Sequence, residues 1–257
     1  MIKLINLFVM VFLTLSCSLT NNILSANKIL PRRSYVFVEK TVNLKKCYTD
    51  KCTTGKVISV GSGFIVEITH KGAFIMTAAH VCTTDKADLL PEVNSHDVIK
   101  VEALDGRWYN TKILKYNRDI DACLMFAEDL TEGVEKVTLS KVAPKEGDKV
   151  YNIASPYGVH YPNVVPIFEG RYFGERDYRA FYTFEAAPGS SGSMILNEKG
   201  ELIGLLHSVY RDMYSIVVSV RYDNLMQFIK HGLIKHSLSH IREIEDYNKY
   251  SGYGFKL

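Results

Sequence analysis

The chain has 257 residues, 47% of them hydrophobic and 23% charged, which is enough apolar material for one large core or two small ones and too much for a disordered chain. Its 31 basic and 28 acidic side chains leave a net charge of only +3, and no basic run carries interleaved aromatics, so nucleic acid is not an expected partner.

The first residues, "MIKLINLFVMVFLTLSCSLTNN", place one lysine before an apolar run from Leu4 to about Leu15, followed by small and polar residues. That run is shorter than the roughly 20 residues of a spanning helix, so residues 1–17 read as a signal peptide and the mature chain as secreted or periplasmic. Cys17, after "LTLS", is a candidate lipid-bearing first residue that would tether the protein to a membrane, although Thr14 stands where such signals prefer Leu. The alternatives are a cysteine discarded with the signal and an uncleaved anchor. In an exported chain the other four cysteines read as disulfides. Cys47 and Cys52, in "CYTDKC", can close a small loop, which leaves Cys82 and Cys123. Paired CxxC motifs or a tight Cys/His cluster are missing, so no metal is expected.

From residue 34 onward, short alternating or apolar runs recur between turn residues: "SYVFVEKTV", "GKVISVGSGFIVEIT", "AFIMTA", "VIKVEAL", "WYNTKILKY", "DACLMFA", "KVYNIAS", "IFEGRYFGE", "AFYTFEA", "SMILNEKGELIGLLHSVY" and "YSIVVSVRY". These eleven segments predict an all-β protein, an antiparallel barrel or sandwich. One helix is expected over 222–235, where Leu225, Met226, Phe228, Ile229 and Leu233 form a stripe opened by Asp223 or Asn224. "LSKVAPKEGD", residues 139–148, is punctuated by Pro and Gly and marks the seam between two halves, 30–138 and 139–236. Residues 237–257 are polar, Tyr-rich and glycine-broken, and are expected to form a flexible tail.

The stretch "EAAPGSSGSMIL", residues 185–196, holds the form G-x-S-G-S. Glycines there let the backbone turn tightly and bring two amide groups beside one hydroxyl. Ser191 is then the candidate nucleophile, with the N–H groups of Gly189 and Ser191 as the oxyanion hole. A serine needs a base and an orienting acid behind it. "TAAH" supplies His80, with small neighbours that leave room for a partner, and "RDIDACLMF" supplies Asp121 at the mouth of an apolar strand. Asp119 competes, being on the same side of an extended strand, but it sits among polar residues. The order His80, Asp121, Ser191 is that of a charge-relay triad of the His, Asp, Ser type.

Together "GSGFIV", "TAAH", "DACLM", "ASPYG" and "PGSSGS" with "GELIGLL" resemble the chymotrypsin-like serine peptidases, in particular the trypsin-like branch with the high-temperature-requirement proteases, glutamyl endopeptidases and small phage or bacterial relatives. The resemblance covers roughly residues 55–230. It implies two six-stranded antiparallel β-barrels with the site in the cleft between them, His80 and Asp121 from the first and Ser191 from the second, and a C-terminal helix closing the second. It further implies a serine endopeptidase that cleaves polypeptide substrates through an acyl-enzyme, needs no cofactor, and acts as a monomer. Cys82 and Cys123 each lie two residues beyond a triad member, so a Cys82–Cys123 disulfide follows if the triad side chains meet. Ser190 stands where digestive trypsins carry an aspartate that pairs with a freed N-terminus, so activation by that ion pair is not expected. The resemblance places the primary substrate pocket between the segment leading to Gly189 and residues 205–210. There His207 is a candidate for an acidic substrate side chain and Glu185 for a basic one. The competing reading is a catalytically silent member of the same fold that serves as a protein-binding or surface-interaction module.

Overall fold

The computed structural model describes residues 30–48, 51–85, 93–210 and 213–250, with the side chains of residues 48 and 237–250 outside the description. The signal-peptide and Cys17 expectations, and the end of the tail from 251, fall outside the described residues. Twelve strands build two closed antiparallel barrels. The first is formed by β1 (Tyr35–Tyr48), β2 (Lys51–Thr69), β3 (Gly72–Thr77), β4 (Val93–Ala103), β5 (Trp108–Asn117) and β6 (Ala122–Glu128), in the order β1-β2-β3-β6-β5-β4. The second is formed by β7 (Lys149–Ile153), β8 (Ile167–Arg176), β9 (Arg179–Thr183), β10 (Met194–Asn197), β11 (Leu202–Tyr210) and β12 (Met213–Val220), in the order β10-β11-β12-β9-β8-β7. A one-turn helix α1 (Ala79–Cys82) follows β3, and a long helix α2 (Tyr222–Tyr250) ends the described chain. This is the two-barrel, all-β architecture with a C-terminal helix that the sequence implies.

Closure of each sheet removes the edges that an open sheet would leave to water, and inward positions fill the middle. In the first barrel Val36, Val38, Phe64, Ile75, Met76, Val101, Leu124 and Met125 are buried, and the same apolar cluster runs on through Met194, Leu196, Leu202 and Leu205 of the second. A separate cluster inside the second barrel gathers Val150, Tyr182, Ile195, Ile203 and Val217. Both predicted disulfides form, Cys47–Cys52 and Cys82–Cys123.

Helix α2 differs from expectation in two ways. It continues to Tyr250, past the end expected at 235 and into the segment expected to be a flexible tail. The reason lies in the spacing, because apolar residues recur in sequence at Ile234, Leu238, Ile241 and Ile244, four, three and three apart. The helix also does more than close the second barrel. Leu225, Met226, Phe228 and Ile229 are buried, the Lys115 ammonium of β5 lies 4.4 Å from the Phe228 ring, and His236 sits 6.5 Å from the Phe74 ring of β3. A Cβ on Gly232 would fall 2.6 Å from the Leu124 side chain, so a residue without one lets the helix lie directly on β6 of the first barrel.

Candidate active site

β3 ends at Thr77, whose hydroxyl donates to the Ser62 carbonyl at 2.8 Å. Ala78 and Ala79, both buried, let the chain fold straight into α1, which puts His80 on the rim of the cleft. A four-residue helix cannot satisfy its own ends. Here the Thr83 hydroxyl donates to the Ala79 carbonyl at 2.8 Å, and the Lys40 ammonium donates to the carbonyls of His80 and Thr83 at 2.9 and 2.8 Å. Cys82 is tied to Cys123 on β6. Lys40 is itself buried, and that burial, with repulsion from Arg118, holds its pKa below the ordinary lysine value against the attraction of Asp97.

Asp121 closes the turn between β5 and β6 with a φ of 52°, a left-handed conformation that Asp adopts more readily than most residues. In that position its carboxylate grips His80 twice: Oδ1 accepts the His80 backbone N–H at 3.0 Å and Oδ2 accepts from Nδ1 at 2.7 Å. Burial works against the charge of Asp121, but the hydrogen bonds and charge of His80, with a further contribution from His207, outweigh it and hold the carboxyl below its usual range. An ionised carboxylate only accepts, so Nδ1 carries a proton and Nε2 is the ring nitrogen that the carboxylate does not engage. Asp119 is exposed on the wall of the cavity that His80 and Asp121 line and makes no hydrogen bond to His80; its N–H donates to Asn117 Oδ1 at 2.8 Å.

Ser191 lies in the tight loop before β10. Gly189 and Gly192 have φ values of 98° and 90°, which side chains other than glycine's rarely adopt. A Cβ on Gly192 would collide with the Ser62 carbonyl and the Thr77 hydroxyl, and one on Gly189 would lie 2.5 Å from the Ser155 carbonyl. Buried Ser190 donates its N–H to the Ala187 carbonyl at 2.9 Å, and Asn152 of β7 donates to Ser193 Oγ and the Met194 carbonyl at 2.7 and 2.8 Å. The N–H groups of Gly189 and Ser191 donate to no other protein group among the described residues. The Ser191 hydroxyl donates to the His207 carbonyl at 3.3 Å, and no hydrogen bond joins it to His80.

Ser62, in the "GSGF" stretch of β2, is the residue that sequence reasoning passed over. Its N–H donates to the Ser191 carbonyl at 2.8 Å and its hydroxyl to the Gly189 carbonyl at 2.9 Å, while Ser155 donates its N–H to that same hydroxyl at 3.1 Å. One buried side chain of the first barrel thus holds the serine loop of the second. A polar residue flanked by two glycines inside an apolar strand was the available signal. Lys40 left none, because a lysine in "VEKTV" reads as an outward-facing strand residue.

The two candidate specificity residues part company. His207 occupies a bulge in β11, where the pairing with β12 slips between Leu206 and Ser208. Its ring is largely buried, with Nδ1 3.8 Å from Asp121 Oδ2 and 3.0 Å from Ser208 Oγ. Burial pushes its pKa down to about 4, with small opposing and reinforcing effects from Asp121, His80 and Arg179, so near neutral pH it is an uncharged ring. With His80, Asp121, Arg118 and Arg179 it lines a cavity of about 370 Å³. Glu185 is exposed and opens into a different cavity, of about 540 Å³, beside Tyr157, Phe168 and Tyr214.

A half-buried acid gripping an imidazole on one barrel, with a glycine-framed serine on the second, fits the arrangement of a two-barrel serine peptidase. Residues 61–205 match the trypsin-like peptidase domain, and the chain belongs to that family. It is similar to a probable periplasmic serine endoprotease, DegP-like, of Hahella chejuensis, with 28% identity over 189 residues that cover 69% of this chain and 37% of that protein. A protein of the same description from Marinomonas sp. is 31% identical over 161 residues, 61% of this chain and 31% of the relative. The chain therefore spans about a third of the length of the curated relatives it matches.

Proposed function

We propose that the protein is a serine endopeptidase that works on polypeptides outside the cytoplasm. The observation that carries this reading is the pair of hydrogen bonds that His80 donates to the Asp121 carboxylate, which fixes the ring and leaves Nε2 unengaged by the acid, together with the two unspent amides of the Ser191 loop. Family membership supports it, and the relatives bear the words serine endoprotease in their names. Export is supported by the periplasmic description of those relatives and by two disulfides, which persist in oxidising compartments. Tethering through Cys17 rests on the sequence alone.

In this mechanism the Ser191 side chain turns from the His207 carbonyl toward His80. Its oxygen forms a bond to the substrate carbonyl carbon as Nε2 takes the hydroxyl proton, and the carbonyl electrons move onto oxygen. The N–H groups of Gly189 and Ser191 receive that oxyanion, an arrangement in which one donor is worth about 10²- to 10³-fold in kcat. Collapse breaks the C–N bond, and the leaving amine departs with the proton from His80. Water then repeats the cycle on the acyl-enzyme. Asp121 stays ionised throughout, holding the tautomer and steadying the imidazolium.

One observation favours the silent binding module instead, namely the Ser191 hydroxyl resting on the His207 carbonyl. Hydrolysis of β-casein by the disulfide-intact protein separates the two. The peptidase reading predicts cleavage that falls about 10⁴-fold or more in Ser191→Ala. Cleavage that survives this substitution, or none by the unsubstituted protein, contradicts it.

A further inference from the structure

His160 and Glu102 form a mostly buried pair outside the triad. His160 lies between β7 and β8 of the second barrel and Glu102 on β4 of the first; their side chains are 15% and 12% exposed, with Nε2 2.8 Å from Oε2. Phe37 of β1 stands opposite Glu102, and Glu102 opposite Trp108 of β5, so the three share one face of the sheet. The His160 ring stacks on Phe37 with centroids 4.2 Å apart, and Trp108 meets Phe37 edge-on at 6.0 Å. The second barrel thus plants one imidazole on the outer face of the first.

Hydrogen-bond chemistry decides the form of that ring. Nδ1 lies 3.1 Å from the Gly158 carbonyl, and Nε2 faces the Glu102 carboxylate. A carbonyl and an ionised carboxylate only accept, so both ring nitrogens must donate. A neutral imidazole has one N–H and would set a lone pair against an acceptor; the imidazolium satisfies both. The face of the Phe37 ring, which attracts a cation, favours the same form. Glu102 is the one ion-pair partner of the ring among the described residues. On the strands beneath it, Glu39 and Lys100 stand opposite one another, and burial followed by the Glu102 charge pushes the Tyr35 pKa up and keeps that phenol neutral. In the β4–β5 turn Asp105 and Arg107 pair with each other. On the His160 loop itself Tyr157 and Tyr161 are exposed, and Arg32 donates to the Asn163 carbonyl at 3.1 Å.

The ring also holds a turn that backs the serine loop. Gly158 ends the turn that starts at Ser155, donating its N–H to the Ser155 carbonyl at 3.0 Å. Inside it Tyr157 has a φ of 53°, a left-handed conformation rare in a residue with a side chain, so the turn needs holding from outside. A Cβ on Gly189 would lie 3.0 and 3.1 Å from the backbone nitrogens of Tyr157 and Gly158, which puts turn and loop in direct contact. The Tyr157 N–H donates to the Pro188 carbonyl at 2.5 Å. That carbonyl and the Gly189 N–H belong to one trans peptide and point opposite ways, so fixing the first aims the second.

We propose that His160, as an imidazolium, is a positioning residue for the oxyanion hole: it ties the turn from Ser155 to Gly158 onto β4, and the turn aims the Gly189 N–H. The inference rests on the peptidase reading above. When the pH rises and the ring gives up one proton, a lone pair faces the carbonyl or the carboxylate and that end of the tie is lost. The Gly189 donor then loosens, and kcat falls on the alkaline side. Glu102→Gln separates a charged tie from mere packing. Its amide can donate to Nε2, so a neutral ring with its proton on Nδ1 keeps both hydrogen bonds.

Two arms test the tie. In the first, full-length Ser191→Ala with its disulfides intact carries ¹⁵N-labelled histidine, and ring and backbone resonances are followed from about pH 6 to about pH 9. The His160 signals, assigned by their absence in His160→Phe, are expected to show both nitrogens protonated at the acid end and one at the alkaline end, with the Gly189 amide resonance moving in step. Adding Glu102→Gln is expected to hold the Gly189 resonance still while the ring titrates. In the second arm, kcat is measured over the same range with a peptide around a casein bond that the active protein cuts. It is expected to fall about five-fold or more from its maximum toward pH 9, and in Glu102→Gln that fall is expected to vanish. His160→Phe, which keeps the stack on Phe37 and loses both hydrogen bonds, should lower kcat about ten-fold across the range; if it does not fold, Glu102→Gln carries the test alone. A ring with a single N–H throughout, or a Gly189 resonance indifferent to the ring proton, overturns the tie whether or not the protein is a peptidase. An alkaline fall in kcat that persists in Glu102→Gln also overturns it. Coupled ring and Gly189 shifts without any cleavage by the unsubstituted protein keep the tie and remove the peptidase reading.

Discussion

His207 shows how one buried ring enters both the chemistry and the stability of the site. Its native pKa, about 4, lies below the ordinary value of 6.5. The unfolded chain therefore takes up the proton first as the pH falls, and stability is fully present above pH 6.5 and is lost progressively toward pH 4. The difference corresponds to about 3 kcal/mol at most. Urea midpoints at pH 7 and pH 4.5 should fall further in the unsubstituted protein than in His207→Asn, since every other titrating group is common to both. Equal pH dependence would show that the ring is not held neutral. A neutral His207 also bears on specificity, because it offers an acidic substrate side chain one N–H and no charge. The sequence made this residue visible as a histidine on a strand near the serine. The bulge that turns its carbonyl to Ser191 and its ring to Asp121 was invisible, since one extra residue in a strand leaves the apolar pattern on either side intact.

At the scale of elements, α1 owes its place to groups outside itself. Four residues cannot hold a helical turn, and the carbonyls of His80 and Thr83 would be unpaired without the Lys40 ammonium. Lys40→Met keeps the aliphatic length and removes both hydrogen bonds. It is expected to cost about 2 kcal/mol in stability and to lower kcat with little change in KM, because it disturbs the placement of His80. Thermal unfolding and steady-state kinetics check both, and an unchanged kcat would make Lys40 purely structural. Strands were legible wherever burial imposes alternation. "SMILNEKGELIGLLHSVY" folds as β10 and β11, divided at the Asn197–Gly200 turn that "NEKG" signals. "SYVFVEKTV" and "GKVISVGSGFIVEIT" fall short of the true ends of β1 and β2 because, apart from Leu44 and the two disulfide cysteines, residues 43–47 and 51–54 carry polar side chains, so no apolar alternation marks them. The length of α2 was missed for the opposite reason, since polar composition hid a helical spacing.

For the molecule as a whole, the proposed site lies where two barrels meet, with His80 and Asp121 on the first and Ser191 on the second. Ser62 is the chief stitch between them. Ser62→Ala leaves the Gly189 carbonyl and the Ser155 N–H without their partner in a buried setting, at a cost of about 2 kcal/mol. It should also lower kcat about ten-fold by loosening the amides that receive the oxyanion. Full activity in this variant would mean that the loop holds its shape alone. The triad order and the glycine-framed serine were legible in sequence because the chemistry restricts residue type at those positions. The stitch was not, because any small hydroxyl residue in a strand looks alike until a distant loop is folded against it.

If His80, Asp121 and Ser191 form one working nucleophile, as proposed, Ser191 is open to covalent trapping. The disulfide-intact protein is treated with a fluorophosphonate probe alongside Ser191→Ala and His80→Ala, and the adduct is mapped by mass spectrometry. A single adduct on Ser191 that fails to form in either variant is the predicted result. A folded protein that is not labelled, or one that is labelled on Ser191 equally well without His80, contradicts it.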